Sequence, residues 1–148
     1  MSIYHEKQVG SYCRLHAINN LIGKKLVSTS EFNKLCDNYD KIKKYIKGIS
    51  KNKHYFINNG GSDNIFGFVL ESKGYKPHMI HYDFYKQKKL NDNDVTIGCI
   101  VYNKGHTFCV KRVNKNLYKI DSMSSRPVKT SIKNFNRKGF GIINVKSL

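Results

Sequence analysis

Cys13, His106 and Asp121 are the residues whose types and surroundings could support nucleophilic chemistry. Residues 11–22 read as a helix, because Leu15, Ile18, Leu21 and Ile22 recur at helical spacing. Ser11 is placed to cap it and Gly23 to end it. Cys13 then lies in the first turn, where the positive end of the helix dipole and unpaired N–H groups favour a thiolate. Position alone fits a buried structural cysteine equally well. A thiolate needs a base, and His106 opens an extended run just after a turn at Gly105. Asp121 closes the next run, fifteen positions on. A hairpin turn near residues 113–116 folds the two toward each other, and a two-residue turn puts both side chains on one face. Asp121 would hold one imidazole nitrogen and leave the other for Cys13. Taken singly, His106 reads as a turn-edge histidine and Asp121 as a strand-end cap. Gln8, five residues before Cys13, could aim its amide at the point the Cys13 N–H faces. An oxyanion donor of that kind is worth ~3 kcal/mol of transition-state stabilisation.

The remaining cysteines, Cys36, Cys99 and Cys109, sit among apolar neighbours and read as small core residues with free thiols. No Cys-x-x-Cys pair occurs, and the thiol and imidazole of Cys13 and His16 have no second pair, so no metal site is expected. His16 reads as structural, since a base on the nucleophile's own helix cannot easily face the thiol across an open cleft.

Several elements must position these groups. Ser28-Thr29-Ser30-Glu31 is a capping-box pattern, and Phe32, Leu35, Cys36, Tyr39, Ile42, Ile46 and Ile49 mark the inner face of a second helix fraying at Gly48. Asn58 to Gly61 reads as a loop, and Ser62 or Asp63 opens a third helix with Ile65, Phe68 and Val69 inward and Gly74 as its stop. The period then changes. Strands are expected at 75–82, 95–102, 106–113, 117–121 and 140–145, with loops at 86–94 and 122–127 and an unclear stretch at 130–135 that could hold one helical turn. Helices first and an antiparallel meander after them make an α+β fold in a single domain over residues 1–148.

The chain has 148 residues, 39% hydrophobic and 12% aromatic, which suits one ordinary domain and argues against a disordered chain. No apolar run is long enough for a transmembrane segment, and residues 1–7 lack a signal-peptide core, so a cytoplasmic or nuclear setting is expected. Charge is the outlier: 27 Lys and Arg against 10 Asp and Glu give a net +17. Such a field attracts polyanions, so nucleic acid or a membrane surface is a candidate partner. Lysine dominates over arginine and no dense basic block occurs, which also fits compositional drift in an AT-rich genome, as in a large DNA virus or a parasite.

Tyr4-His5-Glu6-Lys7-Gln8, then Cys13, then His16-Ala17-Ile18-Asn19-Asn20-Leu21 resembles the N-terminal signature of the Josephin family of cysteine deubiquitinases. Gly105-His106-Thr107-Phe108 and Leu117-Tyr118-Lys119-Ile120-Asp121-Ser122 are similar to the family's C-terminal segment. The stretch from Gly60-Gly61 to Gly74-Tyr75 resembles its helix and following strand, so the likeness spans nearly the whole chain. It implies a papain-like fold and a thiol isopeptidase acting after the terminal glycine of ubiquitin or polyubiquitin, as a monomer and without a cofactor. Carried over by match, Cys13 is the nucleophile, His106 the general base and acid, Asp121 the orienter and Gln8 the oxyanion donor. The third member is Asn in some relatives and Asp in others. Residues 38–59 leave little room for the helical arm of the ataxin branch, so the chain looks like the compact branch. Two other classes stay open: a non-catalytic ubiquitin-binding module on the same fold, and a basic nucleic-acid-binding protein. Ubiquitin's arginine-bearing tail calls for carboxylates, and Asp63, Glu71, Asp83, Asp92 and Asp94 form that pool, with Glu6 a poorer candidate. The net positive charge is expected to lie away from the cleft.

Overall fold

Two apolar periods decide the architecture. The computed structural model describes residues 3–44, 65–81, 89–103, 105–137 and 139–147. The helical period yields α1 (Cys13–Ile22), α2 (Thr29–Lys44) and α3 (Ile65–Ser72). The strand period yields β1 (Tyr75–His81), β2 (Gly98–Asn103), β3 (His106–Val113), β4 (Asn116–Ile120), β5 (Val128–Thr130) and β6 (Gly141–Ser147). These strands form one antiparallel sheet of six, in the order β1-β6-β2-β3-β4-β5.

The sheet is a meander only from β2 to β5. β6 returns across it and pairs with both β1 and β2, which corrects the expected simple meander. The reason lies in its sequence. Ile142, Ile143, Asn144 and Val145 are all buried, so β6 is covered on both faces, which suits a strand in the interior of the sheet rather than at its rim. The same holds for β2, where Ile100 faces the helices while Cys99 and Val101 face away. On the helix side Ile100, Cys109, Ile120 and Ile143 pack against Leu15, Ile18 and Leu21 of α1, Phe32 and Cys36 of α2, and Phe66 and Val69 of α3. On the other side Val101, Val110, Leu117 and Ile142 are roofed by Leu90, Val95, Ile132 and Phe135 from irregular segments.

Local signals account for the element ends. Ser28 caps α2, its Oγ accepting the Glu31 N–H at 3.1 Å. Gly23 ends α1 in the left-handed conformation, its N–H bonded to the Asn19 carbonyl. The expected Ser11 cap is not made: Tyr12 occupies the cap position and its side chain makes no capping hydrogen bond. β5 falls where no strand was expected, because three residues are too few to show a period. The unclear stretch after it is a single 3-10 turn over Ile132–Phe135. The expectations for Ile46, Gly48, Ile49, the loop from Asn58 to Gly61, and Ser62 or Asp63 lie outside the described residues.

The placement of α1 matters most for the site. Its C-terminal end lies over the pairing of Gly98 with Lys111: a Cβ on Gly98 would stand 2.3 Å from Leu21 Cδ1 and 2.4 Å from the Val110 carbonyl oxygen. Only glycine allows this approach. From there α1 runs back along β3. Ten helical residues span ~15 Å, and the five steps from Lys111 to His106 span ~17 Å. The helix N-terminus therefore arrives beside the start of β3. Among the described residues no helix is long and apolar enough to cross a membrane.

Candidate active site

The start of α1 and the start of β3 meet at a cleft of about 280 Å³ lined by Gln8, Ser11, Cys13, Arg14, Gly105, His106 and Met123. Cys13 is the first helical residue, so its N–H has no acceptor within the helix and its thiol sits at the positive end of the dipole. Burial leaves it 5% exposed, and that remainder borders the cleft.

His106 and Asp121 meet as the hairpin parity requires. β3 and β4 are joined by a two-residue turn at Asn114 and Lys115, with Asn114 at positive φ and Val113 opposite Asn116. Continued past Ile120, that register sets Asp121 opposite Phe108, one pair along from His106 on the same face. Both Asp121 oxygens lie 2.9 Å from His106 Nε2, so Nε2 carries a proton and Asp121 accepts it. The Met123 N–H, 2.9 Å from Asp121 Oδ1, fixes the carboxylate in turn. The Asp121 carbonyl accepts from His5 Nε2 at 2.7 Å. With Nε2 engaged, Nδ1 is the ring nitrogen left for the cleft.

Gln8 is held on both sides. Its N–H donates to the Ser122 carbonyl at 2.9 Å, and its Oε1 accepts from Ser122 Oγ at 3.0 Å. Its Nε2 donates to the Gly10 carbonyl at 3.0 Å, which uses one of its two protons. All four sequence-predicted residues thus come together: Gln8, Cys13 and His106 line one cleft, and Asp121 backs His106.

Sequence reasoning missed what fastens Gln8 there. His16, 7% exposed, donates from Nδ1 to Glu6 Oε1 at 2.7 Å and accepts the Val9 N–H on Nε2 at 3.1 Å. Donor accounting makes it a neutral, Nδ1-protonated ring, in line with its structural reading. Asn19 Nδ2 bonds Glu6 Oε1, Asn20 Oδ1 accepts the Glu6 N–H, and Tyr4 donates its hydroxyl to Glu6. Burial, helped by the bond to Glu6 and its charge, pushes Tyr4 up to about 12. Glu6 and Val9 flank Gln8, so this network pins the segment to α1 on both sides of it. The available signal was three polar residues, His16, Asn19 and Asn20, on a helix that is otherwise apolar beyond Arg14.

Other expectations fare differently. Cys36, Cys99 and Cys109 are buried and form no disulfide, and burial drives the Cys99 thiol up to about 12 and that of Cys109 upward as well. Positive charge is not excluded from the cleft: Arg14 lines it, because residue 14 shares the first helical turn with Cys13, and among the described residues no carboxylate does. Two of the carboxylates proposed for an arginine-bearing tail are engaged elsewhere. Asp92 accepts from Ser131 Oγ and the Ile132 N–H, and Asp94 accepts the Asn91 N–H. Glu71 is exposed, while Asp63 and Asp83 lie outside the described residues.

A helix-borne thiol thus shares one cleft with a strand-borne imidazole that is bonded to a carboxylate, in a domain of α+β fold. The Josephin family model matches residues 8–138, nearly the full chain, and the chain belongs to the Josephin family, whose members are in general cysteine-type deubiquitinases that bind ubiquitin. Among curated proteins none matches it.

Proposed function

We propose that this Josephin domain, over residues 1–148, cleaves the peptide or isopeptide bond after the C-terminal glycine of ubiquitin through a thioester on Cys13. The observation that carries the reading is the His106–Asp121 pair at 2.9 Å, opening onto the cleft that holds Cys13 and Gln8. His106 Nδ1 takes the Cys13 proton, and the resulting imidazolium is stabilised by Asp121. The thiolate attacks the glycine carbonyl, while the Cys13 N–H and the spare Gln8 Nε2 proton receive the oxyanion. His106 returns its proton to the departing amine, and water, deprotonated by the same ring, then cleaves the thioester.

The test is ubiquitin carrying a C-terminal electrophile. Wild-type protein is expected to gain the mass of one ubiquitin, with the adduct at Cys13. Cys13→Ala is expected to gain none, to lose turnover, and to keep ubiquitin binding. Retention of ubiquitin by wild type without any adduct would instead assign the domain to ubiquitin recognition alone.

A further inference from the structure

We propose that Ser122 is a positioning residue that holds the Gln8 side-chain amide in its oxyanion-binding orientation, an inference that rests on the role given to Gln8 above. Glutamine has three side-chain torsions, and freezing them costs rotamer entropy, so a half-buried Gln8 at a cleft rim needs partners to stay aimed. The structure supplies two of opposite kind. The Gly10 carbonyl can only accept, so it draws Nε2. The Ser122 hydroxyl has one proton, and it goes to Gln8 Oε1 at 3.0 Å. A reversed amide would set Oε1 against the Gly10 oxygen and leave the Ser122 proton without that acceptor.

Ser122 is well suited to this work. It is 4% exposed, so its hydroxyl does not trade Gln8 for water. Its own carbonyl accepts the Gln8 N–H at 2.9 Å, which keeps the two residues in step through the main chain. It also follows Asp121 directly. One short segment therefore sets both the base, through Asp121 on His106, and the oxyanion donor, through Ser122 on Gln8. Removing the hydroxyl leaves the main-chain bond intact, so Ser122→Ala isolates the side-chain contact.

The experiment measures kcat and KM on a ubiquitin C-terminal fluorogenic amide for wild type, Ser122→Ala, Ser122→Thr, Gln8→Ala and the Gln8→Ala/Ser122→Ala double variant. Rates of adduct formation with ubiquitin C-terminal propargylamide are measured alongside. In that reaction the thiolate adds to an alkyne carbon and the partner carbon takes a proton, so no oxyanion forms. Ser122→Ala is expected to lower kcat about fivefold, the worth of one neutral hydrogen bond, with KM unchanged. Ser122→Thr should restore most of it. On the Gln8→Ala background the serine change should cost nothing further, and the propargylamide rate of Ser122→Ala should match wild type. An unchanged kcat in Ser122→Ala, an equal loss on the Gln8→Ala background, or an equal loss with propargylamide would each overturn the inference while leaving the proposed function standing. A wild-type protein that neither hydrolyses the amide nor forms the adduct would remove both.

Discussion

Replacing Asp121 by Asn tests how the imidazole is held. The carboxylate accepts three contacts: Nε2 of His106 lies 2.9 Å from each oxygen, and the Met123 N–H lies 2.9 Å from Oδ1. Asparagine has one acceptor and one donor end. A backbone N–H can only donate, so Met123 fixes the amide oxygen at the Oδ1 position. His106 Nε2–H then keeps an acceptor and the ring keeps its tautomer. What is lost is the charge. Hydrogen bonds to a charged partner contribute ~1.5–3 kcal/mol against ~1 for a neutral pair, so Asp121→Asn should lower kcat/KM by about 2–30-fold. Asp121→Ala leaves both Nε2 and the Met123 N–H without this acceptor, a loss of ~2–4 kcal/mol or about 30–1,000-fold. His106→Ala, which removes the base itself, should fall lowest. The alternative orientation predicts the reverse order. An amide nitrogen facing Nε2 would force the wrong tautomer, and in serine-protease triads that costs ~10⁴-fold, which would place Asn below Ala. The assay is kcat/KM on the fluorogenic ubiquitin amide across the titration range of histidine, with thermal unfolding to show that each variant is folded. A folded Asp121→Asn as inactive as His106→Ala, or an Asp121→Ala as active as wild type, would refute the assigned geometry.

Two further predictions follow from packing. Iodoacetamide on the native protein at mildly alkaline pH should modify Cys13 and spare Cys99 and Cys109, whose thiols are buried and pushed up by that burial, as read by peptide mass mapping; modification of Cys109 in native protein at a rate equal to Cys13 would contradict the buried assignment. Gly98→Ala should destabilise the fold by about 3 kcal/mol or more and lower Tm by roughly 6–12 °C, because the new methyl meets both Leu21 and the Val110 carbonyl; a Tm within a degree of wild type would show that α1 does not lie so close to the sheet.

The proposed nucleophile and the base–carboxylate pair were legible because their cues are local. Cys13 lies where an apolar helical period begins, and the parity of the hairpin between Val113 and Asn116 places His106 and Asp121 on one face whatever the rest of the fold does. The expected strand over residues 106–113 is the observed β3, and the next ends one residue short of the expected Asp121. Ser28 and Gly23 mark their helix ends for equally local reasons. The Josephin-like signature around Gln8 and Cys13 carried the family, and part of that signature proves to be scaffold: Glu6, His16, Asn19 and Asn20 bond one another rather than the cleft.

The sequence by itself determined which residues could act, which faces were apolar, and the α+β class, since each of these is set by spacing along a few consecutive residues. Only the tertiary structure decided that β6 sits between β1 and β2, that Arg14 enters the cleft, and that Ser122 bonds Gln8 across 114 positions of chain. Contacts of that kind depend on how buried faces are shared among distant segments and on which single proton meets which single lone pair. No periodicity in the chain encodes either.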